Sequence, residues 1–120
     1  MDVTRFQLQL LEKGLDAAWQ KNEALAANIA NADTPGYKAV RVSFESVFKD
    51  ALENKSAVDV KSLEPEVYVD EKTSFRQDGN NVDLDQEMTE MAKNTLYYET
   101  LIYLAGKEIS RIKLIATEGK

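Results

Sequence analysis

The residues best suited to do chemistry are the oxygen-bearing side chains of "DGNNVDLDQE", residues 78–87. Closely spaced aspartates and asparagines suit a hard cation such as calcium, which is held by oxygen ligands. A calcium-binding EF-hand loop beginning at Asp78 requires an oxygen ligand at its fifth position, glycine at its sixth and glutamate at its twelfth. Those places hold Val82, Asp83 and Thr89, so the pattern fails. Turn and capping chemistry accounts for the same residues: Asp78 and Gly79 suit a tight turn, and Asp83 with Gln86 three positions on forms a capping box.

Other routes to catalysis are equally bare. The acid pairs Asp83/Asp85 and Glu64/Glu66 have no nucleophile beside them, and solvated surface explains them better. The chain contains no histidine and no cysteine, which removes thiolate nucleophiles, Cys/His zinc sites and the commonest general base. Tyr37 and Lys38 beside a turn suggest an anion site, but no second base stands in that loop. There is no phosphate-binding glycine loop, no nucleophile elbow and no metalloprotease motif. The expectation is a protein with no catalytic residues, no cofactor and no metal.

A net charge of −6, with bases outnumbering acids in no third of the chain, argues against a nucleic-acid partner. The longest uncharged apolar run, Leu101 to Gly106, is far short of the roughly 20 residues of a membrane span, so none is expected. The first residues lack a basic segment followed by an apolar core, so export, if any, uses no cleaved signal.

Two helices must position whatever the chain does. Leu8, Leu11, Leu15, Ala18, Asn22, Leu25 and Ile29 recur at alternating spacings of three and four, the heptad seam of a helix packed along another helix. In the last third Leu84, Met88, Met91, Thr95, Tyr98, Ile102, Ala105, Ile109, Ile112 and Ala116 repeat the pattern over a longer run. The predicted fold is mainly α: two long terminal helices with heptad seams, paired antiparallel, joined by a middle segment with a short helix and two short strands. The division is 1–32, 33–81 and 82–120, in one structural unit. In the middle, "SFESVFKDAL" is amphipathic at helical spacing, with Ser43 as N-cap, and "EVYVDE" and "TSFRQ" suit strands. Large apolar residues off the seams, Phe6, Leu10, Trp19, Leu101, Leu104 and Ile115, exceed what two paired helices can cover. Self-association or docking to similar helices follows.

Between the first helix and the middle lies "NIANADTPGYK", residues 28–38. Pro35-Gly36 suits the centre of a type II turn, with Gly36 at positive φ, and Asn31 can end a helix in the left-handed conformation. The crowding of alanines before it suggests close backbone packing, with Asn28 and Asn31 supplying amide hydrogen bonds.

The stretch "LAANIANADTPGYKA" resembles the N-terminal signature of flagellar basal-body rod proteins, which spans Asn28, Asn31, Thr34, Pro35, Gly36 and Tyr37 here. "FRQDGNNVDLDQEM", "NTLYYETL" and the ending "RIKLIATEG" resemble more narrowly the proximal-rod subunits of that family, whereas "VRVSF" after the signature departs from their usual pattern. The resemblance implies a non-enzymatic building block that leaves the cell unfolded through the flagellar type III export system. It further implies assembly into the periplasmic rod of the basal body, with the terminal helices lining the core. The seam residues Leu8, Leu11, Leu15, Leu25, Ile29, Met88, Met91, Tyr98, Ile102, Ile109 and Ile112 would then drive assembly. The partners it implies are other rod subunits, further copies of the chain, the rod adaptor at the base and the export gate. Phe44 and Phe48 fit an export-gate recognition pattern, although an amphipathic helix face explains them as well. The alternative function is a small soluble adaptor or chaperone-like protein built on a helical hairpin.

Overall fold

The computed structural model describes residues 3–53, 60–72, 74 and 76–118. Helix α1 (Val3–Ala30) leads to strand β1 (Val40–Ser43), helix α2 (Glu45–Glu53), a 3-10 turn (Val60–Ser62), strand β2 (Glu66–Val69) and helix α3 (Leu84–Glu118). Asp83 caps α3 as its spacing predicts: its Oδ1 accepts the Gln86 N–H at 3.2 Å. Asp85 and Glu87 in the first turn complement the positive end of the helix.

α1 and α3 run antiparallel, tied at both ends and in the middle. Thr4 meets Arg111 (Oγ1 to Nη2, 3.0 Å), Ala18 meets Asn94, and Asn28 meets Glu87. The buried residues of α1 are Leu10, Gly14, Ala17, Ala18, Leu25 and Asn28, while those of α3 are Glu87, Asn94 and Leu101, one residue every seven. At Gly14 the helices leave little spare room, since a Cβ there would stand 3.3 Å from the Leu101 Cδ1. That contact gives the glycine a packing reason despite its cost of about 1 kcal/mol within a helix. The Asn94 Nδ2 donates to the Ala18 carbonyl at 2.8 Å inside this seam. A buried amide of this kind fixes register, because sliding the helices would leave it unpaired.

The middle segment wraps the other flank of α1. Leu10, Ala51 and Val60 form a small core, with Phe6, Phe48 and Leu63 packed on it. β1 and β2 pair antiparallel, Val40 opposite Val69 and Ser43 opposite Glu66. Three local expectations are corrected here. Ser43 belongs to β1 rather than capping α2, and Phe44 fills the capping position, its carbonyl accepting the Phe48 N–H at 2.9 Å. The partner of "EVYV" is the "VRVS" stretch; of the predicted strand at 73–77, Thr73 and Phe75 lie outside the described residues, and Ser74, Arg76 and Gln77 form no strand. Asn31 is not left-handed, since no described non-glycine residue has positive φ. Its Nδ2 instead donates to the Ala27 carbonyl at 2.8 Å, closing the last turn of α1.

The molecule measures 68 × 27 × 15 Å, with a radius of gyration of 18.2 Å against ~14 Å for a compact chain of this length. At that thickness no third layer covers the helix pair. Large apolar side chains therefore stay in solvent along α3, among them Met88, Leu96, Ile102, Tyr103, Ile109 and Ile115.

Candidate functional site

The two motifs singled out in the sequence meet in space. The turn after α1 and the loop before α3 lie side by side, each satisfying the other's backbone. Pro35-Gly36 forms the expected turn: Gly36 has φ +74°, and the Tyr37 N–H donates to the Thr34 carbonyl at 3.2 Å. The Gly36 N–H reaches the Asp78 carbonyl at 2.7 Å, and the Lys38 Nζ reaches the Gly79 carbonyl at 2.5 Å. Gly79 has φ +81°, and a Cβ there would lie 3.7 Å from the Gly36 Cα. The two left-handed glycines thus face each other, and it is their positive φ, not lack of room, that favours glycine at both places.

Three asparagines lock the junction. Asn28 is fully buried and uses its entire amide: Oδ1 accepts from the Val40 N–H (2.9 Å) and the Tyr37 hydroxyl (3.1 Å), while Nδ2 donates to the Val40 carbonyl (3.0 Å) and the Glu87 Oε2 (3.2 Å). Asn80, also fully buried, donates from Nδ2 to the carbonyls of Asn31, Ala32 and Thr34 at 2.8–3.0 Å. Those carbonyls belong to the turn that follows α1, so Asn80 fastens that turn to the loop before α3. Its Oδ1 accepts the Val82 N–H at 2.8 Å, and Asn81 joins Ala39 to the Asp70 carbonyl. Among the described residues no buried side-chain polar atom lacks a partner.

Charge enters through Glu87, wholly buried on the first turn of α3. The Arg41 guanidinium on β1 meets its Oε1 at 2.6 Å and the Asp70 carboxylate at 3.4 Å. Burial pulls the Arg41 pKa down, but the hydrogen bond and charge of Glu87, then those of Asp70, outweigh it and hold the group above its ordinary value. A base with a raised folded pKa stabilises fully below its unfolded value and loses that contribution only as pH rises through the folded one. The Arg41 contribution is therefore constant across the neutral range.

Of the signature residues expected from sequence, Asn28, Asn31, Thr34, Pro35, Gly36 and Tyr37 all lie in this junction. Arg41 and Asp70 were not singled out, and Asn80, Asn81 and Glu87 stood in the stretch 78–87 read as turn and cap, without these long-range bonds. Glu87 carried a signal: it begins the seven-residue series Glu87, Asn94, Leu101 that faces α1. The polar groups of Tyr37 and Lys38 are engaged within the junction. No group of acids, histidines or cysteines among the described residues is arranged to hold a metal.

The seam residues sit elsewhere. Leu25 is buried, Leu8, Leu11, Leu15, Ile29, Met91, Tyr98 and Ile112 are half-buried, and Met88, Ile102 and Ile109 are exposed. At 100° per residue most of them share one face of the helix pair, where Trp19 also meets Tyr98 with ring centroids 6.4 Å apart. Phe44 and Phe48 are half-buried, their rings 6.1 Å apart.

Gly36 offers a direct test of the turn. No atom lies within 4 Å of a Cβ built there, so substitution strains the backbone without a clash. Gly36→Val should cost about 2 kcal/mol, since a β-branched residue is disfavoured at positive φ. Gly36→Asn, a residue type that tolerates this region, should recover at least half of the loss in thermal denaturation. Equal losses for both variants would mean that conformation is not what the position demands.

Fold and junction together define an elongated helical building block whose two long helices are locked in register by a polar junction. The family model described as "Flagella basal body rod protein" matches residues 8–38, covering most of α1 and the turn after it. Similar proteins include the flagellar basal body rod protein FlgB of Bacillus subtilis (strain 168), 35% identical over 94% of this chain and 95% of the relative. That of Escherichia coli (strain K12) is 34% identical over 99% of each, and that of Aquifex aeolicus (strain VF5) is 31% identical over 96% and 95%. The chain belongs to the flagellar basal-body rod protein family. It is a structural subunit of the basal-body rod, and the family is not enzymatic.

Proposed function

We propose that the chain acts in the proximal part of the rod, polymerising through its terminal helices after export through the flagellar type III system. The exposed apolar surface of α3 carries this reading: Met88, Ile102 and Ile109 stand about half in solvent at heptad-compatible spacing. A monomer rarely leaves such a surface uncovered, and packing it against helices of neighbouring subunits removes it from water. The junction holds α1 and α3 in one register, so each subunit presents the same surface to its neighbours.

The finer neighbours are part of the same proposal. They are the adaptor at the rod base and the export gate, the latter read through Phe44 and Phe48. Both rings are half-buried in the folded chain, so recognition through them belongs to the unfolded, exported form. The test is a strain lacking this chain. Swimming should be lost, and export of later axial proteins should stop at the rod stage. Normal swimming together with normal export would overturn the proposal, and a concentration-independent closed dimer in sedimentation would favour an adaptor instead.

A further inference from the structure

The two edges of the small sheet are not alike. On β1 the Val40 N–H and C=O both turn to the Asn28 amide, at 2.9 and 3.0 Å. Hydrogen-bonded and non-hydrogen-bonded pairs alternate along an antiparallel ladder. Val40 and Val69 are therefore a non-bonded pair, as are Val42 and Val67. The Asp70 N–H on the Ala39 carbonyl, at 2.7 Å, agrees with that phase. Val67 and Val69 thus point their own N–H and C=O groups away from β1, and no described residue meets them. Their side chains stand open as well: Val67, Tyr68 and Val69 are 58%, 47% and 47% exposed.

Charge around that outer edge is one-sided. Between residues 64 and 72 stand Glu64, Glu66, Asp70 and Glu71 against Lys72 alone. Asp70 is taken by Arg41, and Glu64 reaches Lys13 only at 3.9 Å with its side chain 73% exposed. Glu66 and Glu71 are exposed and meet no base among the described residues. A second copy of β2 fits badly. Pairing two such strands antiparallel, Val67 opposite Val69, would set Glu66 opposite Asp70 twice, and like charges across a pair are destabilising. Short length and flanking charge are the devices that keep an edge strand from pairing with its own kind.

We infer that the outer edge of β2 is a docking site for an extended segment of another protein, flanked by lysine or arginine, which adds to the sheet as a third strand. Val67 and Val69 offer two donors and two acceptors to its backbone, while Glu66 and Glu71 meet its bases. Main-chain bonds supply the affinity in such strand addition, and charge here supplies the selectivity. The inference does not depend on the rod role proposed above.

Two synthetic peptides test it on the full chain, each alternating valine and threonine, one flanked by lysines and the other by glutamates. The lysine peptide should slow amide exchange at Val67 and Val69 at least tenfold and leave Tyr68, already in the ladder, unchanged. The glutamate peptide should not. Val69→Pro removes one outward donor and spares the ladder, since proline is tolerated where the N–H faces solvent; it should keep the melting temperature and lose the protection at Val67. Glu66→Lys with Glu71→Lys, at exposed positions, should reverse the preference between the peptides. Absence of protection by the lysine peptide, or equal protection by both, would overturn the inference. So would protection that survives in a folded Val69→Pro chain, or that appears without peptide as the chain is concentrated, which would make a second copy the occupant.

Discussion

Asn28→Asp should unfold the junction and lower the melting temperature of the protein by about 12–20 °C. The substitution changes little volume, so packing is not the cause. It removes the two donors that hold the Val40 carbonyl and the Glu87 Oε2. It also sets a second carboxylate against Glu87, which stood 3.2 Å from the amide nitrogen it replaces, in a site closed to water. Leaving a buried charge without compensation costs about 3–5 kcal/mol, and at this length each kcal/mol moves the midpoint by roughly 4 °C. The deficit should follow pH with a definite sign. Burial beside Glu87 raises the pKa of the introduced carboxyl in the folded state, so its penalty is absent below the ordinary aspartate range and grows as pH rises through it. Adding Glu87→Gln should partly restore stability, because the new amide can donate to the carboxylate. If the double variant melts lower than either single variant, electrostatic conflict is not the source.

Ile102→Asp should leave the folded chain intact and abolish swimming. The side chain is 49% exposed, and substitutions at such positions change stability by about 0.5 kcal/mol or less. Circular dichroism and melting temperature should therefore match the unaltered chain. In an assembled seam the same residue is desolvated, and an unpaired carboxylate there costs several kcal/mol per contact, repeated at each subunit. Ser110→Asp, on the outer side of α3, is the control and should swim normally. An Ile102→Asp strain that spreads through soft agar as fast as the unaltered one would remove Ile102 from the assembly surface.

Much of this architecture was visible in the order of residues, for identifiable reasons. Helix periodicity is a local signal, so α1 and α3, the Asp83 cap and the Pro35-Gly36 turn could all be read directly. Which stripe of α3 faces α1 could not. The long apolar series Leu84 to Ala116 outweighs the sparse series Glu87, Asn94, Leu101, two of whose members are polar, yet the second is what α3 buries. Polar side chains are chosen for an interface only when partners await them, and those partners, the Ala18 carbonyl and Asn28, lie far away in sequence. The same holds for β1, whose "VRVS" becomes a strand because Asn28 fastens Val40 and Arg41 reaches Glu87. Ser43 lost its expected capping role to that pairing.

The bonds of the junction also dictate when the protein can become itself. Asn80 grips the turn after α1 across 46 to 49 residues, and Asn28 reaches Glu87 across 59. Loop-closure entropy opposes bringing such distant segments together until enough contacts form at once. A chain that emerges first residues first, as in synthesis, can wind α1 early but has nothing to seal it with. The lock can close only once the residues around Glu87 are present, so the last third of the molecule controls when the junction forms.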